Sequence, residues 1–532
     1  MKNIKLLDCT LRDGGYLNDW EFGNDNIISI FERLISAEVD IIEVGFLNEY
    51  RCFDINRTIM PDSEAVEKIY GGLDKAKTMI VGMIDYGTCS IDKLRVKQES
   101  FLDGIRVIFK KSVMYEAIKL CGEIKQKGYK VFVQAVSITS YNDEEMMTLI
   151  KLVNELQPYA FSLVDTYGLL DQEQLMHYFE FSNCNLNPEI GLGYHSHNNF
   201  QLAYANCMEV IKKHSGNRMI ILDGSLYGMG KSAGNAPSEL LAMYLNEKEG
   251  KNYHISQMLE AIDVTILELY NKIKWGYSFK FYISALHDCH PNYVTYLMDK
   301  KNLSVHSINH ILDMLEGNKK LLFDQSYIEQ LYLAYQEKEF NDTKDRERLR
   351  RELAEKEILL LAPGNTIESE KEKIKDYINK QQCIVISVNY YPKHICADYL
   401  FISNSKRYVQ MASILSRNPD QFKIIATSNI TRMTTEFDFV LEYSRLLDRE
   451  AMIVDNPLIM LLRCFREIQV KKIVLAGFDG YKKAETPNYI NPNMEHSFTK
   501  ERAEEINRDT REALCRVKDD MEITFLTKSF YE

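Results

Sequence analysis

Residues 191–199 read GLGYHSHNN. In an extended strand, side chains two apart project to the same face, so His195 and His197 can converge on one ion. Alone, the pair reads equally well as a strand end with two ordinary polar residues. Its surroundings decide between the two. Near the N-terminus a short apolar run ends in DCTLRDGG at residues 8–15, which crowds Asp8, Arg12 and Asp13 into a glycine-flanked loop. A closed barrel of parallel strands would bring the first and seventh strands to one rim, where barrel enzymes keep their active sites.

Between these two points short β-branched runs alternate with helical patterns. Strands are expected at residues 4–8, 39–45, 79–84, 104–109, 130–135, 160–164, 190–195 and 219–222. The stretches between them, such as 27–34, 114–124, 143–156 and 202–212, carry apolar residues at helical spacing. Eight such units in about 250 residues match the size of a (β/α)8 barrel. A doubly wound open sheet competes, but the count of eight with reactive residues at strand ends favours closure.

The expected fold class is α/β. A TIM barrel covers residues 1–254 and a helical extension covers 255–340. A strongly charged linker follows at 341–357, and an open, Rossmann-like α/β domain of five or six strands at 358–532.

Composition narrows the function classes. Hydrophobic residues make up 45% and charged residues 27%, as in folded globular protein. The 65 basic and 77 acidic side chains give a net charge of -12, which disfavours nucleic acid as a partner. Eleven scattered cysteines form no paired spacing and fit a reducing compartment. No leader pattern and no long apolar run appear, so a cytoplasmic protein without a membrane span is expected.

TLRDG after the first strand, HSH at the seventh and GNAP after the eighth resemble the DRE barrel metallolyases, the HMGL-like family. That family includes 4-hydroxy-2-oxovalerate aldolases, hydroxymethylglutaryl-CoA lyases and isopropylmalate synthases, and the resemblance covers roughly residues 1–300. It implies metal ligation by Asp13, His195 and His197 with Asn235 as a fourth ligand, and catalytic roles for Arg12 and Glu43. A divalent ion is implied, Mn²⁺ by analogy, with Mg²⁺, Co²⁺ or Zn²⁺ as alternatives. Such an ion would chelate a 2-oxo acid and stabilise the enolate that bond cleavage creates, with Arg12 donating to the same oxyanion.

The resemblance is closest to the pyruvate aldolases, which cleave or form a 4-hydroxy-2-oxo acid. Those enzymes place a basic histidine where this chain has Tyr16, a departure, because a phenol with a pKa of about 10 is a poor base at neutral pH. They also use a tyrosine from the helical extension, for which Tyr277 is the nearest match and Tyr282 a rival. Arg106, Gln134 and Thr166 at the middle strands are candidate substrate contacts, with packing as the equal alternative. Asp165 and Asp223 are expected to fix loops.

In the second domain, LLLAPGNT places Gly364 and Asn365 between a strand and a helix, and LAGFDGY places Asp479 at another strand end. These motifs resemble parts of sialyltransferase-like and pterin-diphosphokinase-like Rossmann-type domains and imply a nucleotide or sugar phosphate as ligand. A tight turn capped by Asn365 is the plain alternative. His496 is a further polar candidate. The expected partners are thus a 2-oxo acid and an aldehyde, a nucleotide or sugar phosphate, and optionally a second copy of the chain. An acyl-CoA-dependent Claisen lyase or synthase, or a nucleotide-sugar transferase carried by the second domain, are the competing functions.

Overall fold

The computed structural model describes residues 2–300, 302–320, 322–336, 340–417, 421–430, 437–483, 487–490, 502–518 and 521–532, so His496 lies outside the described residues. The chain divides into two units, Met1–Pro291 and Asn292–Glu532.

In the first unit eight parallel strands close on themselves: β1 (Ile4–Asp8), β2 (Ile41–Leu47), β3 (Met79–Asp85), β4 (Gly104–Phe109), β5 (Lys130–Ala135), β6 (Ala160–Asp165), β7 (Gly191–Ser196) and β8 (Ile220–Gly224). Closure comes from β1, which pairs with β8 along its length and with β2 through Leu7 and Asp8. Strand positions match the sequence expectation to within two residues. This is the TIM barrel.

Alternation along the strands explains both layers of the barrel. Outward residues such as Ile42, Ile80, Ile105, Val131, Leu163 and Leu192 join the core beneath the helices. Inward residues form an apolar floor of Leu7, Ile41, Val81, Phe132, Ala160 and Ile221. Two residues further along β2, β5, β6 and β8 the inward positions are the polar Glu43, Gln134, Ser162 and Asp223, which Arg106 of β4 and His195 of β7 join, all buried. That polar layer lies directly under the catalytic rim.

A bulge in β2 separates Glu43 from Phe46 in register. Gly45 makes it, at φ +150°, where an added Cβ would lie 1.9 Å from the Thr58 carbonyl oxygen. Bulges of this kind re-aim side chains next to active sites.

The second unit holds seven parallel strands: β9 (Glu357–Leu361), β10 (Ile384–Val388), β11 (Tyr399–Ile402), β12 (Lys423–Thr427), β13 (Phe439–Leu441), β14 (Lys472–Ala476) and β15 (Glu522–Phe525). Their order is β13-β12-β11-β10-β9-β14-β15, so the order reverses between β9 and β14. The expected five or six strands become seven because three-residue β13 is too short to show an alternating pattern.

Two boundaries also change. The helical stretch at 255–340 is split by the division at Pro291, and only its first part belongs with the barrel. The charged stretch is no linker: it forms the helix Thr343–Leu353, whose Leu349 and Leu353, four apart, enter the second unit's core. Its Asp342 and Asp345 carboxylates accept the N–H groups of Glu442 and Val440 at 2.9 Å each, at and just beyond the edge strand β13. Among the described residues no helix is long and apolar enough to cross a membrane.

Candidate metal centre

Asp13 ends the helical turn Thr10–Asp13 that follows β1, while His195 and His197 sit at the end of β7. One ligand atom from each lies within 4.8 Å of the other two, and all three residues are buried. An antiparallel bridge joins His197 to Asn235, which brings the loop after β8 to the same place. The Asn235 amide donates to Asp13 Oδ2 at 2.7 Å, and its buried Oδ1 has no partner among the described residues. Gly230 permits this closure: a Cβ there would lie 2.3 Å from Asn235 Nδ2 and 2.4 Å from Asp13 Oδ2.

The ring contacts prepare the histidines as ligands. His195 Nδ1 meets Asp223 Oδ2 at 3.0 Å and His197 Nδ1 meets the Gly234 carbonyl at 3.3 Å, which leaves each Nε2 lone pair for an ion. Burial pushes His197 down to about 3, against the pull of Asp13, so the ring is neutral at pH 7. Burial alone would raise Asp13, but Arg12, then both histidines and Asn235, hold it well below the usual carboxylate range. Two imidazoles, a carboxylate and an amide oxygen without a partner among the described residues are a donor set that fits a divalent cation.

A chain of buried charges supports this cluster. Arg12 donates through Nη1 to Asp13 and through Nε to Glu43, the latter at 2.7 Å. Glu43 also accepts from Arg106 Nη1 at 2.9 Å, and Arg106 Nη2 donates to Asp223, which in turn orients His195. Removing one member of such a buried pair costs about 3–5 kcal/mol, because the other is left uncompensated. Trp20 Nε1 fixes the Arg12 backbone by donating to its carbonyl at 2.8 Å. Arg12 Nη2 makes no bond to protein among the described residues.

Not every expected contact belongs to the site in the way the sequence suggested. Arg106 and Gln134, expected as substrate contacts, lie inside the polar layer at 1% exposure. Gln134 accepts from Arg106 at 3.2 Å and donates to Ser162 at 2.9 Å. Both side chains are thus held by other buried groups of that layer, which they brace. Thr166, beyond the end of β6, accepts the Ser137 N–H through Oγ1 at 2.7 Å. Asp165 does fix a loop, accepting the N–H groups of Leu169 and Leu170. Asp223 instead meets the ring of the candidate ligand His195.

Tyr16 stands at the rim against Trp20 and Phe46, with 39% of its surface exposed. Its hydroxyl is enclosed, and that burial pushes the phenol well above its ordinary value. Tyr277 is 61% exposed and no contact among the described residues ties it to the cluster. Its rival Tyr282 packs edge-on to Phe200, three residues past His197, at 6.0 Å.

The residue that sequence reading passed over is Lys231, in GMGKSAGN. Its backbone N–H donates to Asp13 Oδ2 at 3.2 Å and its Nζ stands 5.4 Å from the Tyr16 ring centroid. A lysine four residues before a ligand asparagine, inside a glycine-rich loop, was the available signal.

The second unit has its own crevice, about 410 Å³, at the carboxyl ends of the strands where their order reverses. Gly364 and Asp479 line it and Asn365 does not. Asp479 accepts the Thr366 N–H at 2.9 Å and its hydroxyl, so a carboxylate occupies the start of that short helix. Asn365 donates its amide to the Pro487 carbonyl at 2.6 Å and makes no side-chain cap. Arg407, Tyr481 and Tyr489 line the same crevice, the two phenol oxygens 2.8 Å apart.

Residues 3–267 match the HMGL-like family model. The chain is similar to the 4-hydroxy-2-oxovalerate aldolase of Pelotomaculum thermopropionicum, 26% identical over 249 residues, or 46% of this chain and 70% of that protein. It is also similar to 4-hydroxy-2-oxovalerate aldolase 6 of Rhodococcus jostii, 25% identical over 245 residues, or 45% and 67% of the two chains. Among solved structures, the N-terminal domain of a candidate aldolase from Bacteroides vulgatus aligns at a TM-score of 0.50 and 23% identity. It covers 57% of this chain and 99% of that one, a likeness of fold.

Proposed function

We propose that the HMGL-like domain at residues 3–267 is a divalent-metal-dependent carbon–carbon lyase that cleaves or forms a 4-hydroxy-2-oxo acid through a pyruvate enolate. The observation that carries this reading is the convergence of Asp13, His195 and His197 with the orphaned Asn235 Oδ1, beside Arg12. A bound divalent ion, Mn²⁺ in this reading, supplies Lewis acidity to a chelated 2-oxo acid and stabilises the enolate.

The protein's own groups do the rest. Arg12, held by Glu43 and Asp13, offers its remaining guanidinium nitrogen to the oxygen on which negative charge grows, a contact most valuable in a buried site. Glu43 holds Arg12 in place and touches no substrate. Thr166 contacts the substrate carboxylate through its hydroxyl. Tyr16 keeps its proton at neutral pH and acts as a hydrogen-bond donor to the departing carbonyl oxygen, while the proton is taken by a water at the rim. Tyr282, beside the His197 loop, is the better placed of the two extension tyrosines to close the site.

The second unit, with its order reversal and crevice, supports a Rossmann-like domain that binds a nucleotide or sugar phosphate. Asp479 holds the helix start that a phosphate would use, so Arg407 and the Tyr481–Tyr489 hydroxyl pair are the groups to receive an anion there.

Metal-dependent exchange of the pyruvate methyl protons in D₂O tests the barrel reading by NMR. With Mn²⁺ added to the stripped protein the methyl signal should decay, and His195→Ala should abolish the decay. Exchange that is absent with every divalent metal would sink the enolate mechanism.

A further inference from the structure

The rim of the barrel carries one cation that the chemistry above does not use. Lys231 makes no ion pair and no side-chain hydrogen bond among the described residues; its ammonium rests over the Tyr16 ring. The charged groups around it are Asp13, Arg12, Asp85 and Lys110. Asp13 is committed to Arg12, Asn235 and the candidate metal position. Asp85, at the end of β3, has Lys110 as well as Lys231 as its cationic neighbours, so neither nearby carboxylate forms an ion pair with Lys231 alone. His197 and His290 also feel this ammonium.

An ammonium held over an aromatic ring at the rim, with carboxylates near it but none paired to it, keeps its donors for an anion that arrives beside the reactive centre. The 2-oxo carboxylate already has the ion, Arg12 and Thr166 to receive it. The Lys231 ammonium stands over the Tyr16 ring, which is at the aldehyde side in the proposed mechanism, so the anion it receives belongs to the other half of the substrate.

We infer that Lys231 is a specificity residue for an aldehyde-derived half bearing its own anionic group, a carboxylate or a phosphate. This rests on the lyase reading. A neutral alkyl aldehyde would leave the ammonium without an ion pair. The residue binds and positions; the inference asks no proton transfer of it.

The test uses the full chain loaded with Mn²⁺ and pyruvate, with propanal, succinic semialdehyde and glyceraldehyde 3-phosphate as acceptors. The anionic acceptors should exceed propanal in kcat/KM by about 10- to 100-fold, the worth of one charge-assisted contact. The better of the two anions identifies carboxylate or phosphate. Lys231→Met should erase that advantage while changing propanal turnover less than about threefold, and Lys231→Arg should restore most of it; melting curves establish that each variant is folded. Added salt should raise KM for the anionic acceptors alone. Equal use of propanal and the anions, or an equal loss on all three in Lys231→Met, would overturn the inference and leave the lyase reading intact if pyruvate exchange persists. Loss of exchange in the wild-type protein would overturn both.

Discussion

The two units place a site at the same topological position, the carboxyl ends of parallel strands, and build it by opposite means. In the barrel, charged side chains are sunk into the interior and tied to one another, from Asp13 through Arg12, Glu43, Arg106 and Asp223 to His195. In the second unit the crevice mixes charged side chains, among them Lys300, Arg407, Asp455 and Asp479, with amides and hydroxyls such as Asn389, Ser403, Asn404 and Asn488. A network of buried charges tied to one another is rigid and unforgiving. A lining in which charges alternate with neutral donors and acceptors suits recognition.

The comparison can be broken at the barrel first. Asp13→Ala should reduce pyruvate exchange by about three orders of magnitude, the scale of losing several kcal/mol of metal-borne stabilisation, as NMR decay rates would show. Retained exchange would mean the charged network is only structural.

Asp223→Asn probes the support rather than the ligands. It should weaken metal affinity by about 10- to 100-fold in calorimetric titrations. It should also lower stability, because Arg106 loses a buried partner. Wild-type affinity in this variant would show that His195 needs no orientation from below.

A smaller effect lies in the pH dependence of the β8 loop. Glu239 accepts the Tyr227 N–H, and burial pushes its carboxyl up to about 7. The folded state therefore holds a proton that the unfolded state releases near pH 4.5, so this contribution is full below pH 4.5 and is lost as pH rises through 7. The Tm of Glu239→Gln should fall less steeply than wild type over that window; parallel curves would remove Glu239 from the account.

The smallest effect on the barrel should come from Gly364→Ala. The new Cβ would lie 2.2 Å from the Gly477 carbonyl oxygen and 2.6 Å from Asp479 Cγ, which should destabilise the second unit by about 1–3 kcal/mol. Pyruvate exchange should be unchanged. A parallel loss of exchange would show that the two sites are not separable.

The same contrast explains what could be read from sequence. Strand period places His195 and His197 on one face, whereas Asp13 and Asn235 entered only through the resemblance carried by TLRDG and GNAP; the structure brings the four together. The roles of Arg106 and Asp223 were not, because inward position in mid-strand and pairing across the barrel depend on register between strands that are distant in sequence. Lys231 was hidden in a motif read for its asparagine. In the second unit Gly364 and Asp479 were found by their strand ends, whereas Arg407 and Tyr489 come from segments with no pattern of their own. The helix Thr343–Leu353 looked like a linker because its charges outnumber the two leucines that anchor it.

The buried chain beneath the metal centre also sets an order of events. Its three carboxylates, on Asp13, Glu43 and Asp223, stand against the guanidiniums of Arg12 and Arg106, so the floor carries one negative charge before any ligand arrives. On the proposed reading, a divalent cation at Asp13, His195 and His197, with the Lys231 ammonium nearby, would turn these surroundings net positive, so the cation would bind before the 2-oxo carboxylate.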